Sequence, residues 1–175
     1  TEKLQWYKIN YKNPIMSKCV DKYDVRNYVK ECGLENILNE WYGVYDSPDD
    51  IDFEGLPEQF VLKDTLGGGG NSVIICKDKS KFNKEDWIKI LNEWVNTKVK
   101  KNGGREWPYY SGKKHRIIIE KYINSDLQMG GLIDYKFFCF DGKVYFVYGI
   151  SDRNMGKKAS LGIFDKNFNL LPYYR

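Results

Sequence analysis

The sequence predicts an α+β fold of antiparallel sheets with a glycine-rich β-hairpin loop and one long packing helix. Three observations carry this prediction. Apolar runs of strand length flank four consecutive glycines, Gly67, Gly68, Gly69 and Gly70. A later stretch repeats apolar residues at helical spacing, and an Asp-Gly pair joins two further strand-like runs. Strands linked by tight turns pair antiparallel, and an amphipathic helix beside them buries its stripe on one sheet face.

The elements follow in chain order. Asp21 to Lys30 reads as a short helix: Asp21 can cap it, Val25, Tyr28 and Val29 share a face, and Gly33 can end it. Residues 37–45 fit helix or strand equally. Asp46-Ser47-Pro48-Asp49-Asp50 reads as a turn by composition. Phe60-Val61-Leu62-Lys63 is a buried strand entering the glycine run, and Ser72 to Lys77 is the strand leaving it. Between Asn83 and Thr97, the residues Trp87, Ile90, Leu91, Trp94 and Val95 mark the clearest amphipathic helix. Arg116 to Ile123 is a strand rich in isoleucine. Tyr135–Phe140 and Lys143–Ile150 flank Asp141-Gly142, a hairpin signal because glycine readily takes positive φ. Asp165-Lys166-Asn167 marks another turn.

Composition excludes several classes of protein. With 175 residues, 42% hydrophobic and 16% aromatic, the chain can bury a sizeable core and is not a disordered segment. Its net charge of +4 comes from 28 basic and 24 acidic residues, too balanced for a nucleic-acid binder. The basic run Lys98 to Lys101 follows the long helix and complements its C-terminal dipole. No apolar run approaches the roughly 20 residues of a membrane helix, and no signal peptide stands out. Cys19, Cys32, Cys76 and Cys139 lack Cys-x-x-Cys spacing, so no zinc site or redox pair is expected. Cys76 and Cys139 lie in apolar strand patterns and are expected to be buried thiols in a cytoplasmic protein.

The glycine run is the first candidate site. Four glycines in succession carry a large conformational-entropy cost, and a loop without side chains lets backbone N–H groups approach an anion. Alone, the loop reads equally as a bare hairpin tip. It is not a P-loop, since Asn71-Ser72 follows Gly70 where Lys-Ser or Lys-Thr would stand. It is not a Rossmann loop either, because it opens a strand. Lys63, at the end of the entering strand, can reach a phosphate oxygen as a point charge, or sit solvated. Ile117-Ile118-Ile119-Glu120-Lys121-Tyr122-Ile123 reads as an edge strand or as a hinge whose backbone meets a nucleobase. His115, between Lys114 and Arg116, reads as a solvated residue before a strand.

The order of these motifs resembles the ATP-grasp fold, and more closely the TupA-like ATP-grasp family of cell-surface polysaccharide and teichuronopeptide biosynthesis. The resemblance runs over nearly the whole chain. It rests on Glu2-Lys3-Leu4-Gln5-Trp6, Asp21-Lys22-Tyr23-Asp24-Val25-Arg26, Leu56-Pro57, Phe60-Val61-Leu62-Lys63, Gly104-Arg105-Glu106-Trp107, Asp134-Tyr135-Lys136-Phe137-Phe138-Cys139-Phe140 and Ser151-Asp152-Arg153. It implies a helical and linker segment over 1–55, a small lobe with the glycine loop over 56–123, and the start of a second lobe over 124–175. It further implies that Lys22 and Lys63 contact ATP phosphates, and that Gly67, Gly68, Gly69, Gly70, Asn71 and Ser72 cover the terminal phosphates. By the same likeness Glu120, Lys121, Tyr122 and Ile123 hold adenine, Asp134 meets the ribose, and Lys136 and Arg153 face the phosphate and acceptor side. Lys63 and Arg153 are the implied catalytic residues, Arg153 because a guanidinium grips a carboxylate bidentately.

The chemistry implied is ATP-dependent ligation in the intact protein: a sugar or amino-acid carboxylate becomes an acyl phosphate, which an amine then attacks, with ATP and Mg²⁺ as cofactors. Two departures stand out. Many relatives carry a mixed Gly-Ser loop where this chain has four glycines. The family's magnesium segment, resembling Arg-Val-Asp followed by Gly-Glu-Leu-Thr, does not occur here. No metal ligand is therefore assigned, the ligands are expected beyond residue 175, the fold is expected to be truncated there, and the chain alone is expected not to complete catalysis. The alternatives are a glycosyltransferase-type polysaccharide protein, disfavoured because Asp50-Ile51-Asp52 sits in an acidic loop, and a non-catalytic nucleotide-binding module. Oligomeric state and acceptor identity stay open.

Overall fold

A computed structural model describes residues 2–68, 70, 72–98, 112–124, 131–152 and 159–173. The architecture is α+β with two antiparallel sheets. The chain divides into two units, Thr1–Tyr122 and Ile123–Arg175.

The first unit opens with helices α1 (Glu2–Asn10), α2 (Pro14–Cys19) and α3 (Asp24–Glu31). Asn13 caps α2, its side chain accepting the Ile15 N–H at 3.0 Å, with Pro14 at the first helical position. Gly33, at φ 73°, ends α3 as expected. The ambiguous 37–45 segment resolves into strand β1 (Trp41–Tyr45), followed by β2 (Phe60–Asp64), β3 (Val73–Cys76), helix α4 (Lys84–Val95) and β4 (Ile117–Lys121). The strand order is β1-β4-β2-β3, all pairs antiparallel. β4 is therefore interior, flanked by β1 and β2, and its Ile117, Ile118 and Ile119 are all fully buried.

Alternation along the strands separates two faces. Phe60 and Leu62 of β2 join Ile117 and Ile119 of β4 in the core, against Leu91 and Trp94 of α4. Phe53, Phe82, Trp87 and Phe60 extend this core, centroids 4.5–6.1 Å apart, with Trp87 edge-on to Phe60 and Phe82. Asn83 caps α4 by accepting the Asp86 N–H. Ile90, placed on the packed face by spacing, is 39% exposed at the stripe's margin. The other sheet face receives Val61 and Lys63 from β2, and Ile118 and Glu120 from β4.

The second unit is a meander of β5 (Asp134–Phe140), β6 (Lys143–Ser151) and β7 (Ser160–Asp165). Asp141 at φ 49° and Gly142 at φ 71° form the two-residue turn predicted between β5 and β6. Phe138 stacks on Phe146, centroids 4.3 Å apart, and Tyr148 packs against both. On the opposite face Gly149 pairs with Gly162, and the Phe164 ring lies where their Cβ atoms would be, at 3.0 and 2.8 Å. Cys76 is buried as expected, but Cys139 is exposed: β5 is an edge strand of its sheet, and Tyr135, Phe137 and Phe140 along it are exposed as well. Asp165 is held by its turn, its carboxylate accepting the N–H groups of Asn167 and Asn169.

Candidate functional site

One face of the first sheet carries Lys63 and Glu120, while Asp64, next along β2, stands on the other face opposite Ile117. Lys63 and Glu120 stand diagonally across β2 and β4, since Val61 pairs with Glu120 and Lys63 with Ile118. The Lys63 ammonium lies 2.5 Å from one Glu120 oxygen, and the Arg26 guanidinium lies 3.5 Å from the other. Glu120 is 8% exposed, so these two cations supply the compensation a buried carboxylate requires. Arg26 is itself fixed: it donates to the Asn39 carbonyl at 2.6 Å and lies over the Trp41 ring at 5.5 Å.

Lys22 joins this group from the turn before α3. Its ammonium donates to the carbonyls of Asp64 at 2.9 Å and Gly67 at 2.5 Å, and its backbone N–H to Thr65 at 3.0 Å. Burial pushes the Lys22 pKa down, nearby Lys63 pushes it further, and Asp64, Asp21 and Glu120 act in opposition. The turn is built by Asp21, which is fully buried. One of its oxygens accepts the Tyr23 and Asp24 N–H groups at 2.8 and 3.0 Å, the other meets Arg116 at 3.0 Å. Arg116 also meets Asp24 at 2.9 Å and lies over the Tyr23 ring, and Lys113 pairs with Asp24. Lys22 is thus held from both sides by its sequence neighbours.

The glycine loop springs from this anchored root. Asp64 N–H donates to the Ser72 carbonyl at 3.1 Å, closing the hairpin, and Gly67 N–H donates back to Asp64. A Cβ on Gly67 would stand 2.5 Å from the Ser72 Cβ, so the two arms meet too closely there for a side chain. Gly68 is open on all sides, and Gly70 has φ 82°. Gly69 and Asn71 lie outside the described residues.

Of the hinge residues, Lys121 is already committed: its N–H donates to the Glu40 carbonyl at 2.9 Å, its carbonyl accepts from Asn39, and its ammonium pairs with Glu40. Lys77 lies 5.5 Å over the Tyr122 ring, and Ile123 is exposed. In the second unit Lys136 pairs with Asp134 at 3.0 Å. Arg153 and the segment Gly104-Arg105-Glu106-Trp107 lie outside the described residues. Among the described residues, no three His, Cys, Asp or Glu side chains gather to hold a metal ion.

His115 corrects an expectation. It is not solvated: its Nδ1 lies 2.7 Å from Asp64 Oδ2, with only 11% of the side chain exposed. Arg26, Asp64, His115 and Arg116 had no role assigned from sequence. Arg26 alone had a signal, standing four residues after Lys22 on a helical segment. The assembled cluster sets the cations Lys22, Lys63 and Arg26 around one carboxylate at the foot of a glycine loop. Such an arrangement can accept an anion by drawing Lys63 away from Glu120.

Among known proteins, the family model described as TupA-like ATPgrasp matches residues 2–175. Neither the curated proteins nor the solved structures contain a match to the chain. Among the described residues no helix is long and apolar enough to cross a membrane.

Proposed function

This chain belongs to the TupA-like ATP-grasp family, and on that premise we infer that it binds ATP to activate a carboxylate for ligation to an amine. The observation that carries the reading is the Lys63–Glu120 pair with Lys22 beside it at the root of the glycine loop. ATP presents several negative charges, and half-buried cations beside a glycine loop are the complement such a ligand requires.

In this proposal Lys22 and Lys63 hold phosphate oxygens, and Gly67, Gly68 and Ser72 lie along the same anion. The backbone of Tyr122 and Ile123 meets the adenine, because the Lys121 groups are already paired with residues 39 and 40. Glu120 keeps Lys63 and Arg26 extended until the nucleotide arrives. Asp134, Lys136 and Arg153 keep the roles their motifs imply. The carboxylate oxygen bonds to the γ-phosphorus as the bond to ADP breaks. The amine then attacks the acyl carbon, and phosphate leaves with the C–O electron pair as the amine proton passes to solvent. Positive charge from the lysines stabilises the equatorial oxygens in the first step. The family implies a divalent cation with ATP. The carboxylate is a sugar acid or amino acid and the product joins a cell-surface polysaccharide, a reading supported by family likeness alone.

The test is ligand-induced stabilisation. ATP with Mg²⁺ at a hundred times its Kd stabilises the fold by about 2.7 kcal/mol, whereas a nucleotide sugar leaves Tm unchanged. Lys63→Ala weakens ATP about tenfold through one lost charge-assisted contact. Stabilisation by the nucleotide sugar and not by ATP would overturn the reading.

A further inference from the structure

Asp64 ends β2 and begins the glycine loop, and each of its polar groups is engaged. Its N–H and carbonyl serve Ser72, Gly67 and Lys22, as described. Its Oδ1 accepts the Leu66 N–H at 3.0 Å, and its Oδ2 meets His115 Nδ1 at 2.7 Å. The carboxylate side chain is only 4% exposed, so each oxygen needs its partner. The same short segment is held from the β4 side: Thr65 N–H donates to the Arg116 carbonyl at 2.9 Å, and Arg116 N–H to the Thr65 hydroxyl at 3.3 Å. Residues 64–67 are therefore clamped between Lys22 on one side and His115–Arg116 on the other.

We propose that His115 is a positioning residue which, through Asp64, sets the root of the glycine loop and so the affinity for the terminal phosphates of a nucleotide. This rests on the ATP-binding reading above. A carboxylate acceptor requires a proton on Nδ1, which both the charged ring and one neutral tautomer carry. Removing the imidazole leaves Oδ2 buried without a partner. The Lys22 ammonium, already on the Asp64 carbonyl, is then the cation within reach. Turning toward it, the carboxylate releases the Leu66 N–H and neutralises a charge meant for phosphate. His115 thus keeps Asp64 on the loop and off Lys22.

The experiment compares wild type, His115→Ala and His115→Asn, since the asparagine amide can replace the Nδ1 donor. Hydrogen exchange is read at Leu66 and Gly67 without nucleotide, and affinities are measured for ATP and AMP. In His115→Ala, exchange at these two amides rises about tenfold while Ile119 stays as in wild type, and ATP weakens about tenfold with AMP within about twofold. His115→Asn restores both. Should His115→Ala not fold, His115→Leu removes the same donor while filling its space, with the same gain in exchange at Leu66 and Gly67. Unchanged exchange at these amides, equal weakening of ATP and AMP, or no rescue by asparagine overturns the proposal. A wild type that fails to bind ATP sinks the ATP reading instead, and the exchange arm still decides whether His115 holds the loop root.

Discussion

Asp21→Ala is expected to lower stability by about 3 kcal/mol, and the parts of that figure can be traced. The carboxylate is fully buried and makes three polar contacts. Two are N–H groups at the start of α3, a capping arrangement whose loss costs about 1 kcal/mol. The third is the Arg116 guanidinium, and a hydrogen bond between charged groups contributes about 1.5–3 kcal/mol. The lower part of that range applies, because Arg116 keeps Asp24 at 2.9 Å. For a chain of this size 3 kcal/mol corresponds to a fall in Tm of about 10 °C, read by circular dichroism. Asp21→Asn retains an oxygen for the two N–H groups, so it is expected to melt about 3 °C above Asp21→Ala. An alanine variant melting within about 2 °C of wild type would refute the reasoning, as would an asparagine variant no better than alanine.

Two further outcomes follow from the ionisable groups around the same turn. Burial raises the Asp24 carboxyl, but hydrogen bonds from Lys113 and Arg116 outweigh it and hold its pKa below the ordinary value. Its contribution is therefore complete above the unfolded value of about 4 and lost as pH falls through the lower folded value. The Tm gap between wild type and Asp24→Asn is expected to be constant from about pH 5 to 8 and to shrink in stronger acid. Lys22 is depressed in the opposite sense: its charged form is disfavoured in the fold, so a bound phosphate that restores the charge draws in a proton at alkaline pH. Calorimetric ATP titrations at about pH 9, in buffers of different ionisation enthalpy, should show proton uptake that Lys22→Met abolishes. Identical buffer dependence in the two proteins would remove Lys22 from the phosphate contact.

Legibility in the sequence tracked the range of the interactions involved. Helix α4 was readable because the spacing of its apolar face is a local pattern, and the β5–β6 hairpin because Asp141-Gly142 states its own turn geometry. Strand β7 was missed, since Gly162 interrupts its apolar run and its place is set by pairing with β6. Helix α1 was missed because Leu4, Trp6, Tyr7 and Ile9 follow no helical stripe and all remain exposed. The site divided in the same way. Lys63 and the glycines could be suspected from adjacency, and the motif order placed Lys22 and Glu120 with them. The pairing of His115 with Asp64 joins residues far apart in sequence, and the basic residues flanking His115 pointed to solvent instead.

The strand order of the first sheet has a consequence for how the chain comes into being. β1 and β2 precede the glycine loop and α4, yet they do not pair with each other; both pair with β4, which is made last of the four. During synthesis β1, and the edge of β2 away from β3, must wait unpaired until residues 117–121 leave the ribosome and slide between them. Loop closure over that distance makes this sheet the slow one, whereas the β5-β6-β7 meander closes through neighbours alone. In the waiting chain, α4 and the β2–β3 hairpin are the pieces able to form early. The isoleucine strand that completes the core also brings Glu120 to Lys63, so charge pairing and hydrophobic closure occur in the same event.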